Sequence, residues 1–169
     1  LLDGIELPFS EHAFLFALEE SACVGADSGW MPCHLTLWDK NKLKGALCLY
    51  EKHNSLGEYI FDWSWSKFYE QHGLSYYPKL VSAIPFTPAT GRKLLVNPSE
   101  EDTITIQKKL LEEALNNMRN RNCSSLHFLF INEKELPIFE EMGFLIRHSF
   151  QFHWKNNNYN DFEEFLTTL

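Results

Sequence analysis

The sequence has few of the residues that mark metal, redox and nucleic-acid proteins. Its four cysteines form no CxxC pair and its seven histidines form no HxH or HExxH motif, so a zinc site is not expected. Dispersed cysteines of this kind indicate reduced thiols that mostly fill the core, as in a cytoplasmic protein. Lysine and arginine total 15 against 23 aspartates and glutamates, so the net charge is −8. This acidic balance disfavours nucleic acid as a direct partner.

Long apolar runs are also missing. No stretch approaches the roughly 20 apolar residues of a membrane-spanning helix, so no membrane span is expected. The first residues, LLDGIELPFSEHAF, have neither the basic region nor the apolar run of a signal peptide, and the missing Met is compatible with a trimmed chain. The 169 residues are 44% apolar and 22% charged, which suits one globular domain with a sizeable core.

The first half of the chain reads as a helix followed by strands. Ser10 is a candidate N-cap, and Phe9 and Phe14 hold the positions of a hydrophobic staple. Alternating apolar residues then predict a β-hairpin and two further strands, with a short helix before Gly73. The four strand segments are HLTLWD, KLKGALCLYEKH, GEYIFDW and KLVSAIPF.

The second half contains the longest predicted helix, in which Ser99 and Asp102 have the spacing of a capping box. SSLHFLFIN predicts a strand, a short helix then ends at Gly143, and the alternation from Phe144 to Lys155 predicts a long final strand. A new helical element begins near Tyr159. This order predicts an α+β fold with a mixed, mostly antiparallel central sheet flanked by helices.

The sequence FLFIN followed by LPIFEEMGFLIR resembles the GNAT acyltransferases, in which a strand, an Asn, a short helix and a Gly-Phe lead into the next strand. Asn132, Gly143 and Phe144 fill those places. Many GNAT enzymes carry a Tyr general acid in this helix, where this chain has Phe139. The resemblance therefore implies a GNAT-like fold without that phenol.

Four separated stretches resemble the FemAB-like predicted N-acyltransferases of peptidoglycan biosynthesis or recognition. They are PFSEHAFLFALEESACVG, GEYIFDWSW, YYPKLVSAIPFTPATGRKLL and FHWKNNNYNDFEEFL. The resemblance implies a bacterial enzyme built from two GNAT-like halves. Residues 1–155 would be the first half, and residues 156–169 would begin the connection to a second half. It implies acyl-CoA or aminoacyl-tRNA as donor and a small-molecule or peptidoglycan-like acceptor. A binding or scaffold module without catalysis stays open.

Candidate catalytic residues are Glu58, Asp62, Lys79 and His153. On a strand, Glu58 and Asp62 would share one face with their carboxylates roughly 13 Å apart, too far to share a proton. Such a face is more often solvated, and Lys79 could form an ion pair with either acid there. His153 can titrate near neutral pH, although a lone strand histidine is more often structural.

Six aromatic residues crowd positions 63–77, and most of them are expected in the core. Trp65, Tyr76 and Tyr77 are the candidates for a substrate-binding wall.

A second candidate site is the turn TPATGR, where donors from Thr87, Thr90 and Gly91 with the guanidinium of Arg92 could hold a phosphate or carboxylate. An ordinary Pro/Gly connector is an equally good interpretation. The longest helix opens with Glu100, Glu101 and Asp102. Three acids at a helix amino end repel a diphosphate, so a cofactor site there looks degenerate.

Overall fold

The computed structural model describes residues 8–152 and 154–168. It contains both helices and strands, with four consecutive strands between the first two α-helices, and this order confirms the α+β prediction. The α-helices are α1 (His12–Glu20), α2 (Trp63–Gln71), α3 (Thr103–Asn120), α4 (Leu136–Glu141) and α5 (Phe162–Leu166). Short 3-10 helices span Pro8–Ser10 and Glu133–Glu135.

The strands divide between two sheets, where a single central sheet was expected. They are β1 (Trp30–Pro32), β2 (Leu35–Asp39), β3 (Lys42–Leu47), β4 (Tyr50–Lys52), β5 (Lys79–Ser82), β6 (Leu95–Val96) and β7 (Leu126–Phe128). The first sheet has the order β1-β4-β5-β7 and the second β2-β3-β6. Among the strands of the described residues, β5 and β7 are the one parallel pair, so the mixed and mostly antiparallel character is confirmed.

The chain changes sheets between β3 and β4. Only Cys48 and Leu49 separate the two strands, and β3 pairs with β6 while β4 pairs with β5. Because β5 and β6 belong to different sheets, the two sheets separate next to Cys48.

Two apolar clusters support the sheets. One lies beneath α3, whose buried face is Ile106, Leu110, Leu111 and Ala114, as the 3–4 spacing of its apolar residues predicts. The other surrounds Trp30 and Tyr50, whose rings meet edge to face with centroids 5.4 Å apart. β5 contributes residues to both clusters, Leu80 to the first and Val81 to the second, because successive strand residues point to opposite faces.

The two helix starts differ from the predicted caps. Glu11 is the N-cap of α1 without a side-chain hydrogen bond, and Ser10 lies in the preceding 3-10 helix. The Phe9–Phe14 contact is confirmed, with ring centroids 5.3 Å apart. In α3 the N-cap is Asp102, which accepts the amide of Thr105 at 3.1 Å, so the prediction of Ser99 was wrong.

Two predicted strands are absent from the described residues. The segment GEYIFDW is not a strand, because Gly57 and Tyr59 have φ of 76° and 58°, which an extended strand does not allow. Residues 57–60 form turns and bends, and Trp63 already begins α2. No strand is assigned from Phe144 to residue 152 either, and no neighbouring strand pairs with this segment. Leu145 and Phe150 are exposed there, 89% and 82%.

Candidate functional site

Lys79 is the centre of a buried ionic cluster. It is the first residue of β5, directly after the cis peptide bond between Tyr77 and Pro78, and its side chain is fully buried. A lysine ammonium has three hydrogens to donate, and this one has three acceptors. They are Glu58 Oε2 at 2.8 Å, Asp62 Oδ2 at 2.5 Å and Ser55 Oγ at 3.0 Å.

The structure corrects the predicted geometry of the two acids. Glu58 and Asp62 are not spread along the solvated face of a strand, because residues 57–60 form turns and bends before α2 begins. Both carboxylates contact the same ammonium nitrogen, so the separation of roughly 13 Å expected from strand spacing is wrong. The expected pairing with Lys79 occurs, but it occurs in the interior.

Each carboxylate uses one oxygen in the cluster and leaves the other unused. Glu58 Oε1 and Asp62 Oδ1 are buried and have no hydrogen-bond partner among the described residues. Their side chains are only 1% and 5% exposed. A buried polar oxygen without a partner costs roughly 1–3 kcal/mol and more when it is charged, so these two atoms mark a candidate site.

Two tyrosines extend the cluster toward the surface. The Tyr76 hydroxyl donates to Asp62 Oδ2 at 2.6 Å, and this residue is buried. The Tyr77 hydroxyl lies 2.7 Å from Ser55 Oγ, and both residues are half-buried. Their rings meet edge to face with centroids 5.0 Å apart. The half-buried Ser55–Tyr77 pair is therefore the part of the cluster nearest to solvent.

A second buried lysine stands beside the cluster. The Lys52 ammonium donates to the Leu56 carbonyl at 3.0 Å and lies 3.8 Å from the centroid of the Trp30 ring. Trp30 Nε1 donates to the same carbonyl at 3.1 Å. Burial lowers the pKa of Lys52 to about 8, and the charge of Lys79 acts in the same direction. These bonds hold the loop that carries Glu58.

The two acids are shifted in opposite directions. Burial raises the pKa of Glu58 above its ordinary value, against the opposing charge of Lys79. Burial also acts to raise the pKa of Asp62, but hydrogen bonds led by the one from Lys79 outweigh it, and the net shift is downward. Of the two, Glu58 is therefore the carboxylate better suited to accept a proton near neutral pH.

The sequence did not reveal three members of this neighbourhood. Ser55 and Lys52 carry no motif, although Lys52 is the last residue of β4 and faces the same way as Tyr50. His127 lies on β7 with Nε2 2.7 Å from Ser125 Oγ, and its ring is 6.4 Å from that of Tyr76. Burial, with help from the charge of Lys79, lowers the pKa of His127 to about 4. Only the pairing of β5 with β7 brings this histidine near the cluster.

The other aromatic candidates lie outside the cluster. Trp65 on α2 is 42% exposed, with the guanidinium of Arg147 4.8 Å from its ring centroid. Trp63 and Phe68 are exposed rather than in the expected core. Tyr76 is buried and so does not line an open groove. His153 lies outside the described residues.

The predicted anion site at residues 87–92 has its central donor already engaged. The Gly91 amide donates to the Phe130 carbonyl at 3.0 Å, and the Thr87 hydroxyl donates to the Pro85 carbonyl at 3.1 Å. Thr90 and Arg92 are exposed. Through this bond and a parallel bridge to Ile131, Gly91 attaches the turn to the residues after β7, as expected of a structural connector.

The acidic start of α3 is arranged differently from the prediction. The negative charge of Glu100 is balanced by two ion pairs, because Lys42 and Lys44 contact its two carboxylate oxygens at 2.7 and 2.6 Å. Asp102 already occupies the amide of Thr105. The amino end of α3 therefore does not fit a diphosphate, because a side-chain carboxylate takes the position where an oxyanion would bind.

A further concave surface lies elsewhere, near the C-terminal end of the chain. A cavity of about 460 Å³ is lined by Trp154, Tyr159, Phe162 and Phe165 with neighbouring polar residues, all in the C-terminal segment. It includes none of the ionic cluster. Within the described ranges, no group of three or more His, Cys, Asp or Glu side chains could hold a metal ion.

The comparisons with known proteins give a family. A FemAB-like family model, described as peptidoglycan biosynthesis/recognition, matches residues 2–169. The chain belongs to the FemAB-like family. Comparisons with curated proteins and with solved structures found no match. Within residues 8–152 and 154–168 of this FemAB-like chain, no helix is long and apolar enough to cross a membrane. The family assignment connects the chain to peptidoglycan, and the match includes every residue of the ionic cluster.

Proposed function

We propose that this FemAB-like chain takes part in N-acyl transfer to an amine of a peptidoglycan-like acceptor. In this reaction the cluster of Glu58, Asp62 and Lys79 binds the acceptor amine. The observation that carries it is the pair of buried carboxylate oxygens without partners, Glu58 Oε1 and Asp62 Oδ1. An ammonium group is a hydrogen-bond donor that would satisfy such oxygens.

The chemistry requires two protons to leave the acceptor nitrogen. The acceptor ammonium loses one proton to Glu58 Oε1, which leaves a neutral amine with a lone pair. That lone pair forms the nitrogen–carbon bond at the donor carbonyl, and the carbonyl bond to the donor sulfur or oxygen breaks. The electron pair of the broken bond stays on the leaving atom, which takes the second amine proton.

Each residue of the cluster has a part in this proposal. Glu58 is the candidate base because burial raises its pKa. Asp62 stays ionised and holds the ammonium, since its pKa is lowered by Lys79 in spite of burial. Lys79 and Tyr76 fix the oxygens that face them and so aim the free oxygens. Ser55 and Tyr77, half-buried, are the side from which an acceptor would approach.

The donor is proposed as an activated acyl group, an acyl-CoA thioester or an aminoacyl-tRNA ester. The net charge of −8 disfavours tRNA docking on this chain, which favours acyl-CoA. Neither the amino end of α3 nor the Gly91 amide fits the donor's diphosphate, so no step is assigned there. We also propose that residues 156–169 lead to a second GNAT-like half.

The test combines a muropeptide that carries a free lysine amine with acetyl-CoA, and mass spectrometry detects the acylated product. Glu58→Gln should lower the rate by at least about 100-fold, as expected for loss of a general base. Glu112→Gln changes an exposed acid on α3 and should leave the rate unchanged. Full activity of Glu58→Gln, with folding verified by circular dichroism, would exclude the proposed role of Glu58.

A second candidate function is recognition of the acceptor without catalysis. The observation that favours it is the complete burial of Lys79 together with nearly complete burial of both acids. The exposed indoles of Trp63 and Trp65 on the neighbouring α2 provide a fluorescence signal for muropeptide binding. Saturable binding without any acylated product, with both acyl-CoA and aminoacyl-tRNA supplied, would favour this function over transfer.

A further inference from the structure

A small cavity lies where the two sheets diverge, away from the Lys79 cluster. The kink at Cys48 forms one wall, the end of β5 at Ser82 another, and Lys93, just before β6, a third. Ser10 and Leu15, from the first two helical segments, also line it. Its volume is about 20 Å³, enough for one atom group of the size of a water molecule.

Lys93 presents a buried cation to this cavity. The residue is only 6% exposed, and its ammonium forms no hydrogen bond or ion pair with the part of the chain that the structure describes. A buried ammonium is normally paired because its desolvation is costly. This side chain is therefore the kind of unpartnered buried group that points to a ligand.

The nearest acid is already engaged. Glu135 is buried, and its carboxylate accepts three backbone hydrogen bonds. The Lys93 amide donates to both of its oxygens, at 3.1 and 3.0 Å, and the Leu94 amide donates to Oε1 at 2.8 Å. Glu135 thus binds the backbone of Lys93 and not its ammonium. Burial lowers the pKa of Lys93 to about 8 in spite of the charge of Glu135.

The lining of the cavity is positively charged. Arg92 and Lys93 are its charged residues, and no aspartate or glutamate is among the described lining residues. This local excess stands out in a chain with 23 acidic and 15 basic residues. Arg92 is exposed, so its guanidinium can reach a ligand that extends out of the cavity.

We propose that this cavity between the two sheets binds an oxyanion, with one oxygen beside the Lys93 ammonium and the rest of the group against Arg92. The ligand is the phosphate or the carboxylate end of a small molecule, because both groups match a lysine–arginine pair. The size of the cavity admits a single oxygen, which places the body of the ligand at the surface. The site does not depend on the proposed acyl transfer.

The test titrates the chain with sodium phosphate and, separately, with sodium acetate, each against sodium chloride at equal ionic strength. Isothermal titration calorimetry gives the dissociation constant. We expect saturable binding of at least one anion, with phosphate preference indicating a phosphate ester and acetate preference a carboxylate. Lys93→Met should weaken that binding at least tenfold, and Lys67→Met, an exposed lysine on α2, should leave it unchanged. No binding of either anion, or equal binding by Lys93→Met, would overturn the proposal.

A second measurement uses the unmodified chain, in case Lys93→Met does not fold. Acetylation of lysines by a soluble reagent is followed by mass spectrometry with and without the anion. We expect the anion to slow labelling of Lys93 at least fivefold and to leave Lys67 unchanged. Equal labelling of Lys93 would contradict the proposal. Glu58→Gln should keep anion binding, so failure of the acyl-transfer proposal and failure of this one are distinguishable.

Discussion

Lys79 and Asp62 lie 17 positions apart in the sequence and meet in the interior, with Nζ 2.5 Å from Oδ2 and both side chains buried. Glu58 completes the arrangement from the loop before α2. One ammonium thus contacts two carboxylates, and the neighbouring Lys52 ammonium is a second positive charge that acts on both of them.

Removing Lys79 should destabilise the chain strongly. Lys79→Met leaves two carboxylates buried without their cation, and we expect a loss of about 3–5 kcal/mol in the free energy of unfolding. Urea denaturation measures the change. Lys67→Met on the exposed face of α2 is the matched control and should change the value by less than about 0.5 kcal/mol.

The reason for that loss can be tested separately. Adding Glu58→Gln and Asp62→Asn to Lys79→Met removes the uncompensated charges, so the triple variant should be more stable than the single one. A triple variant less stable than Lys79→Met would show that packing of the lysine stem, and not charge, dominates.

His127 should make stability depend on pH between about 6.5 and 4. Its pKa is lowered to about 4 in the folded chain by burial, while the unfolded chain retains the ordinary value near 6.5. Between these values the unfolded state binds more protons, so the stability present above pH 6.5 is lost as pH falls. We expect a loss of roughly 2–3 kcal/mol from this group between pH 7 and 4.

His127→Gln tests this dependence because glutamine does not titrate and can still bond to Ser125. Urea denaturation of both proteins at pH 7 and pH 4 gives the change in the free energy of unfolding for each. The difference between the two changes is the contribution of His127, because all other titrating groups are the same in both proteins. Equal pH dependence in the two proteins would mean that His127 accepts a proton as easily in the folded as in the unfolded chain.

Glu135 should be needed for stability although it lies outside the ionic cluster. Its carboxylate accepts three backbone hydrogen bonds from the amides of Lys93 and Leu94. Glu135→Gln turns one acceptor oxygen into a donor that faces an amide, which should cost about 2–3 kcal/mol. Thermal and urea denaturation measure it, with the exposed neighbour Glu133→Gln as control. Equal stability of the two variants would contradict this role.

Gly57 should tolerate a side chain much less than Gly73. Both have positive φ, 76° and 68°, so alanine costs about 1 kcal/mol at either position. At Gly57 the new Cβ would also lie 2.5 Å from the ring of Phe86, whereas at Gly73 nothing lies within 4 Å. We therefore expect Gly57→Ala to cost about 1–3 kcal/mol more.

Denaturation of the two alanine variants under one set of conditions checks this difference. Because Gly57 precedes Glu58, Gly57→Ala should also weaken muropeptide binding, and Gly73→Ala should not. Similar stability of the two variants would mean that Phe86 moves away at little cost.

Much of the fold could be predicted from local patterns. The β2–β3 hairpin, α3 and the end of α2 before Gly73 follow from alternation, 3–4 spacing and helix-ending signals, which depend on residues close in sequence. The segment from Gly57 to Trp63 also alternates, but it is not a strand. Its alternation reflects two acids drawn to Lys79 and aromatic residues left at the surface, and a period-2 pattern does not distinguish these causes.

The amino-acid sequence alone determined the family, the α+β class and the acidic surface charge, because composition and local spacing are sufficient for them. It also identified Glu58, Asp62, Lys79, Tyr76 and Tyr77 as candidates. Tertiary structure alone decided that these residues share one cluster, that Lys52 and His127 lie beside it, and that Lys93 lines a cavity between the sheets. The physical reason is that burial and distance across strands depend on pairing between β4, β5 and β7, which no local pattern encodes.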